Sequence, residues 1–172
     1  KQAPAVTQPQ TPPPATEPPI RNPVGETPPP QPLPDLANSD PATQEALGGV
    51  FGRALDPFLV PKNIIRHTVV TIDNLPRKKT AVQMWPMKPL GGELTTSGNG
   101  EEVTLTAANY ARYEPQIKIV QNTDTTQLAA KYKQYYPLFQ QAYVDQGYPQ
   151  GYFNDRLVEV IDHLLATPDV TG

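Results

Sequence analysis

The chain has 172 residues, a formal charge of −3, no cysteine and 23 prolines, 13 of them within the first 34 positions. Without cysteine there are no disulfides, thiolate nucleophiles or cysteine-ligated metals, and the acidic balance offers no field for wrapping nucleic acid; the one basic run, Arg77-Lys78-Lys79, reads as a solvated loop. The 138 residues beyond the proline-dense part can bury roughly 68% of their unfolded surface, enough for one core and not two.

Residues 1–34, with "TPPPATEPP" and "TPPPQPLP", favour extended polyproline II, because each ring fixes φ and removes an amide donor. They read as a disordered spacer whose reach, at ~3.1 Å per residue, is on the order of 100 Å. Prolines spaced P-x-x-P also suit an aromatic groove on a partner, but a proline-dense tract produces that spacing by itself.

Folded structure is expected from "NSDPATQEAL", where Asp40 can cap a helix and Pro41 suits its first position. Leu47, Phe51, Ala54, Leu55 and Phe58 follow at helical spacing. Gly48, Gly49 and Gly52 weaken this helix and leave room for another backbone. In "PKNIIRHTVVTIDNLP", Ile65, Val69 and Ile72 fit a helix while the β-branched density fits a strand. We take the helix, ending at Asn74 before Leu75-Pro76. "TAVQMWPMKPLGG" carries too many prolines for a central strand and reads as an extended edge or an ordered loop around Trp85.

"ELTTSGNGEEVTLT" gives two alternating runs around Ser-Gly-Asn-Gly, the pattern of a small hairpin. Thr106 then caps a short helix through Tyr110 and Tyr113 that Pro115 is expected to stop. The longest helix is expected between Asp124, three residues before Gln127 as in a capping box, and Gly147 at a left-handed C-terminal position. A last helix runs from about Asp155 to Ala166, ended by Pro168. The fold class is therefore mainly α: a small helical domain over residues 35–172 with one short β-hairpin, preceded by the disordered segment.

Residues 131–153 hold eight of the thirteen aromatic side chains. At 100° per residue, Leu128, Tyr132, Tyr135, Tyr136, Phe139 and Tyr143 share a sector about 100° wide, an ordinary core-facing stripe, with Pro137 pointing away from it. A buried tyrosine hydroxyl without a partner costs about 1–3 kcal/mol, so these rings require hydrogen-bond partners. The last helix can supply them. Leu157, Val160, Ile161, Leu164 and Leu165 make its apolar face, and Asp155, Arg156, Glu159, Asp162 and His163 gather opposite.

That polar face is either the wet side of an amphipathic helix or one wall of a groove in which Arg156, Glu159 and His163 meet tyrosine hydroxyls from "GYPQGYF". Stacking rings with fixed polar groups suit a sugar or a peptide strand. The candidate ligand-binding residues are accordingly Tyr148, Tyr152, Asp155, Arg156, Glu159 and His163. Catalytic signals are weak. The two serines, Ser39 and Ser97, follow no nucleophile-elbow pattern, and His67 and His163 belong to no metal motif. "GGELTTSGNG" lacks the spacing and lysine of a phosphate loop. Acid–base work by Asp155, Glu159 and Asp162, which share a helix face, remains the lesser reading. Neither a metal nor a cofactor is expected.

"ANYARYEP", "YPLFQQAY" and "GYPQGYFNDRLVEVIDHLLATP", with "DNLPRKK" and "SDPATQEALGG" before them, resemble a proteobacterial family catalogued as domain of unknown function 3014. The resemblance covers about residues 35–172. It implies a single-pass protein of the inner membrane with a short cytoplasmic start, one membrane helix, a proline-rich linker and a periplasmic domain. By that layout, residues 1–34 are the linker and an anchor precedes them; no stretch of the chain itself approaches the ~20 apolar residues of a span. The layout also implies a further helical segment after "LLATP", without which apolar surface near Val160 to Leu165 is bare. The expected role is binding an envelope protein or cell-wall component. A hydrolase or lyase acting on envelope polymers through Glu159, Asp155 or His163 is the alternative, and a structural partner subunit with a flat apolar patch is a third.

Overall fold

The computed structural model of the chain describes residues 18–26, 32–79, 81–100 and 103–168. Five helices follow one another: α1 (Asp40–Phe51), α2 (Ile64–Asn74), α3 (Ala107–Gln121), α4 (Thr125–Asp145) and α5 (Phe153–Leu165). The one sheet among the described residues is an antiparallel pair, β1 (Thr96–Ser97) and β2 (Thr104–Leu105), with Thr96 opposite Leu105. The mainly helical class with one hairpin is the one the sequence pattern implies.

The core lies where α2, α4 and α5 meet, with α1 packed on α2 and α4. Ile65, Val69, Tyr135, Leu138, Ala142, Tyr143 and Phe153 form one buried cluster, joined by Leu36 from a short turn before α1. Phe153 is fully buried and stacks its ring on Phe139, with centroids 5.6 Å apart. The helical spacing of Ile65 and Val69 settles the ambiguous segment, since both are buried on one side of α2.

The long helix begins as its sequence suggests: the Asp124 carboxylate accepts from the amides of Thr126 and Gln127. It ends at Asp145 with Gln146 as its cap, and Gly147 follows with a φ of 113°, where a side chain is costly. Pro137 stands inside the helix with its ring exposed, on the side away from the aromatic sector. The aromatic sector faces inward as expected except at Leu128, which is 38% exposed. Leu138 and Ala142 are buried although they lie outside that sector, because α4 is enclosed by α1, α2 and α5 together.

Several expectations are corrected. Asp40 does not cap its own helix, whose preceding residue is Ser39. Its carboxylate instead accepts from the amides of Asn63 and Ile64 at 2.8 and 2.9 Å, supplying the N-terminus of α2 from outside. Gly48 and Gly49 admit no other backbone: nothing lies within 4 Å of a side chain built there. Pro115 stands inside α3 rather than stopping it, and the helix continues on a solvated surface where water can satisfy the carbonyl that the proline leaves unpaired. The apolar face of α5 is buried at Val160, but Ile161, Leu164 and Leu165 are exposed.

The expected disorder of residues 1–34 falls outside the described residues for 1–17 and 27–31. Residues 18–26 depart from a free spacer. The amides of Arg21 and Asn22 donate to Asp155, and Asn154 donates to the Asn22 carbonyl, which binds this stretch to the start of α5.

Candidate functional site

Two concavities lined by described residues bear on function. The larger, about 370 Å³, opens between α1, α2 and α4 and is closed at one end by the loop carrying Pro86 and Met87. That loop is held by backbone bonds from Val60 to Pro86 and from Lys88 to Phe58, so the segment around Trp85 is ordered, with a short turn at Val82–Met84. Leu47 and Phe51 come from α1, Ile65 and Ile72 from α2, Leu128 and Tyr132 from α4. Even the hydroxyl-bearing residues on its wall turn apolar. Thr43 donates to the carbonyl of Ser39 and Thr68 to that of Ile64, so each spends its polar atom on its own helix. Lys131, the one charged residue on the lining, donates to Gln134.

The smaller groove, about 180 Å³, runs along the first turns of α5. It brings together Tyr152, Asp155, Arg156 and Glu159 of the six candidate residues, with Pro18, Pro19 and Arg21 on the opposite side. Tyr148 and His163 do not line it. His163 sits exposed in the last turn of α5.

The charges in this region satisfy one another. Asp73, near the end of α2 and 3% exposed at its side chain, accepts from Arg156 Nε at 2.9 Å and from Arg77 at 2.6 Å. The Tyr148 hydroxyl donates to the same carboxylate at 3.2 Å, and a second Arg156 nitrogen donates to the Asp73 carbonyl at 2.8 Å. Arg156 also reaches Glu159 at 2.8 Å. A carboxylate buried this deeply requires such partners, because desolvating an unpaired charge costs far more than any single bond returns. The hydrogen bond from Arg77 to Tyr148 and the nearby Asp73 charge raise the Arg77 pKa. Burial, then the Asp73 charge, raises that of the Tyr143 hydroxyl.

Asp155 is likewise not on a wet face. It is 6% exposed, in the first turn of α5, and each of its oxygens accepts a backbone amide, from Asn22 at 2.6 Å and from Arg21 at 3.1 Å. The polar face expected to be solvated or ligand-lined is therefore used by the fold in its first two turns, because α2 and the proline-rich segment both dock there. No group of three or more His, Asp or Glu residues among those described can hold a metal ion.

Three tyrosines of the stripe find the hydrogen-bond partners that their burial demands. Tyr135 donates to the carbonyl of Ala42 and Tyr132 to Asn154, both at 2.8 Å, while Tyr136 donates to Gln140. Of these three donated bonds, that of Tyr132 goes to α5. Asp73 was not among the residues singled out from sequence. Its signal is nevertheless present: it follows Ile65 and Val69 at intervals of four, which places a carboxylate on the apolar face of α2. The large pocket had no such signal, since its walls are the same apolar residues that any core would use.

A family model described as Protein of unknown function (DUF3014) matches residues 64–172, from α2 to the end of the chain. No curated protein and no solved structure matches at a significant level.

Proposed function

This chain belongs to the family described as Protein of unknown function (DUF3014), and from that premise we propose that it is a non-catalytic binding module of the cell envelope. Its site is the pocket between α1, α2 and α4, which takes an apolar side chain presented by an envelope protein. The observation that carries this reading is the pocket itself. A preformed apolar concavity of about 370 Å³ falls in the range in which small groups are held, and its polar side chains are spent within the fold, Thr43, Thr68 and Lys131 on their own helices, Tyr132 on Asn154 and Tyr135 on the Ala42 carbonyl. A wall of that character favours an apolar anchor over a cell-wall glycan, whose hydroxyls would be left without partners.

The envelope placement rests on the layout that the family resemblance implies and on the proline-dense start of the chain. Among the described residues no helix is long and apolar enough to cross a membrane, so the proposal puts the tether outside them. The hydrolase or lyase alternative draws less from the geometry. Asp155 is committed to two amides, Glu159 to Arg156, and His163 does not line the groove.

The test is a photoreactive phenylalanine analogue at Leu47 of the full chain, in cells that express it natively. The proposal expects a protein adduct that Leu128→Glu suppresses and that the same probe at Val120, an exposed position on α3, does not form. Equal labelling from both positions would overturn it.

A further inference from the structure

We infer that the surface around Asp155 at the start of α5 is a docking site for a bent peptide segment that turns two consecutive amides onto one carboxylate, and that its resident ligand is this chain's own residues 18–26, held in cis. The inference is independent of the apolar pocket, which shares no lining residue with the smaller groove there.

Residues 18–26, which bend at Arg21–Asn22, make no backbone hydrogen bonds among themselves, so the amides between the prolines are free to be read by another group. Here Pro19 and Pro23 flank three residues that retain their amides, and the amides of Arg21 and Asn22 meet the two oxygens of one carboxylate. Charge-assisted bonds of this kind are the stronger sort, and a buried acceptor depends on them. A third backbone contact, from Asn154 Nδ2 to the Asn22 carbonyl at 2.8 Å, fixes the direction of the segment. Asn154 is itself positioned by the Tyr132 hydroxyl at 2.8 Å. The recognised groups are thus backbone donor, backbone donor and backbone acceptor, while the neighbouring prolines limit the freedom lost on docking.

The side chains add orientation more than strength. Arg21 lies 3.8 Å from Glu159 and 4.0 Å from Asp155 but is 66% exposed, and Ile20 is half in solvent. A segment held by a few polar contacts with little apolar burial opens at a far lower cost than the core. The docked stretch is therefore a releasable strap. Leu33 packs against the core, so pinning the chain at Arg21–Asn22 removes residues 23–32 from the span of the spacer, shortening its reach by roughly 30 Å at ~3.1 Å per residue.

The test is amide hydrogen exchange on the full chain, with trypsin cleavage after Arg21 as a second readout. In the wild type, the Arg21 and Asn22 amides should exchange slowly and the Arg21–Asn22 bond should resist cleavage. Asp155→Ala should accelerate both by roughly tenfold or more. Protection at Val69 serves as the control that the body is intact. Because Asp155→Ala removes a buried group and can unfold the chain, Asn22→Pro provides a second arm. It deletes one strap donor without touching the body, and it should free the Arg21 amide while Val69 stays protected. Adding the synthetic peptide of residues 18–26 in excess should release the strap in the wild type. Unprotected Arg21 and Asn22 amides in the wild type, protection that survives both substitutions, or a strap that excess peptide leaves in place would overturn the inference.

Discussion

Arg156 of α5 donates from Nε to Oδ1 of Asp73 on α2 at 2.9 Å, with side-chain exposures of 18% and 3%. The residue that sequence spacing nominates as a ligand contact is thus a bolt between two helices. Removing Asp73 leaves a largely enclosed guanidinium with Glu159 as its ion partner, and removing Arg156 leaves a buried carboxylate held by Arg77 and Tyr148 without its buried cation. Asp73→Ala and Arg156→Ala should each cost about 3 kcal/mol in urea unfolding, and a double-mutant cycle should show coupling of at least about 1 kcal/mol. Additive losses would mean that the two do not act together.

Phe153 fills the centre of the body, fully buried and stacked on Phe139. Phe153→Ala is expected to destabilise by about 3–5 kcal/mol, through lost burial and the cavity left behind. Leucine at the same position should recover much of that loss. Chemical denaturation of the two variants checks both expectations.

Gly151 sits where a side chain does not fit. A Cβ there would stand 2.9 Å from Tyr143 Cε1 and 3.3 Å from Tyr148 Cβ, within the stacked pair those rings form. Gly151→Ala should lower stability by about 1–3 kcal/mol through forced displacement of the rings. An unchanged urea midpoint would show that the pair shifts freely.

Burial raises the hydroxyl pKa values of Tyr132, Tyr135, Tyr136 and Tyr143 above the ordinary tyrosine value. The folded state then holds protons that the unfolded chain releases from about pH 10, so this stability is complete below that pH and is lost as pH rises toward the folded values. The melting temperature should stay level to about pH 9 and fall above about pH 10, with a shallower fall in Tyr132→Phe. A flat profile in the wild type would contradict the linkage.

The helices were legible because their signals are local: Asp124 ahead of α4, Gly147 behind it, and the period that buries Ile65 and Val69. What escaped was long-range. Asp40 offers a local cap, yet its carboxylate is taken by Asn63 and Ile64 across the chain. Pro115 reads as a terminator because spacing does not reveal that α3 lies on a wet surface. Asp155 and Arg156 look like a solvated face until two distant segments, α2 and residues 18–26, are found resting on them. Of the candidate site, the sequence placed Tyr152, Asp155, Arg156 and Glu159 together, and it could not show that their charges are used internally.

Under the proposed function, labour is divided between a charged latch on α5 and an apolar pocket put forward as the binding site. Leu128→Glu and Arg156→Ala, compared with the wild type by thermal melting and by titration with the apolar fluorophore 1-anilinonaphthalene-8-sulfonate, separate the two roles. Leu128 is 38% exposed at the pocket wall, so its substitution should shift melting by less than about 2 °C while weakening dye binding at least roughly tenfold. Arg156→Ala should melt several degrees lower yet bind the dye normally per folded molecule. Normal dye binding in Leu128→Glu together with lost binding by folded Arg156→Ala would contradict the account.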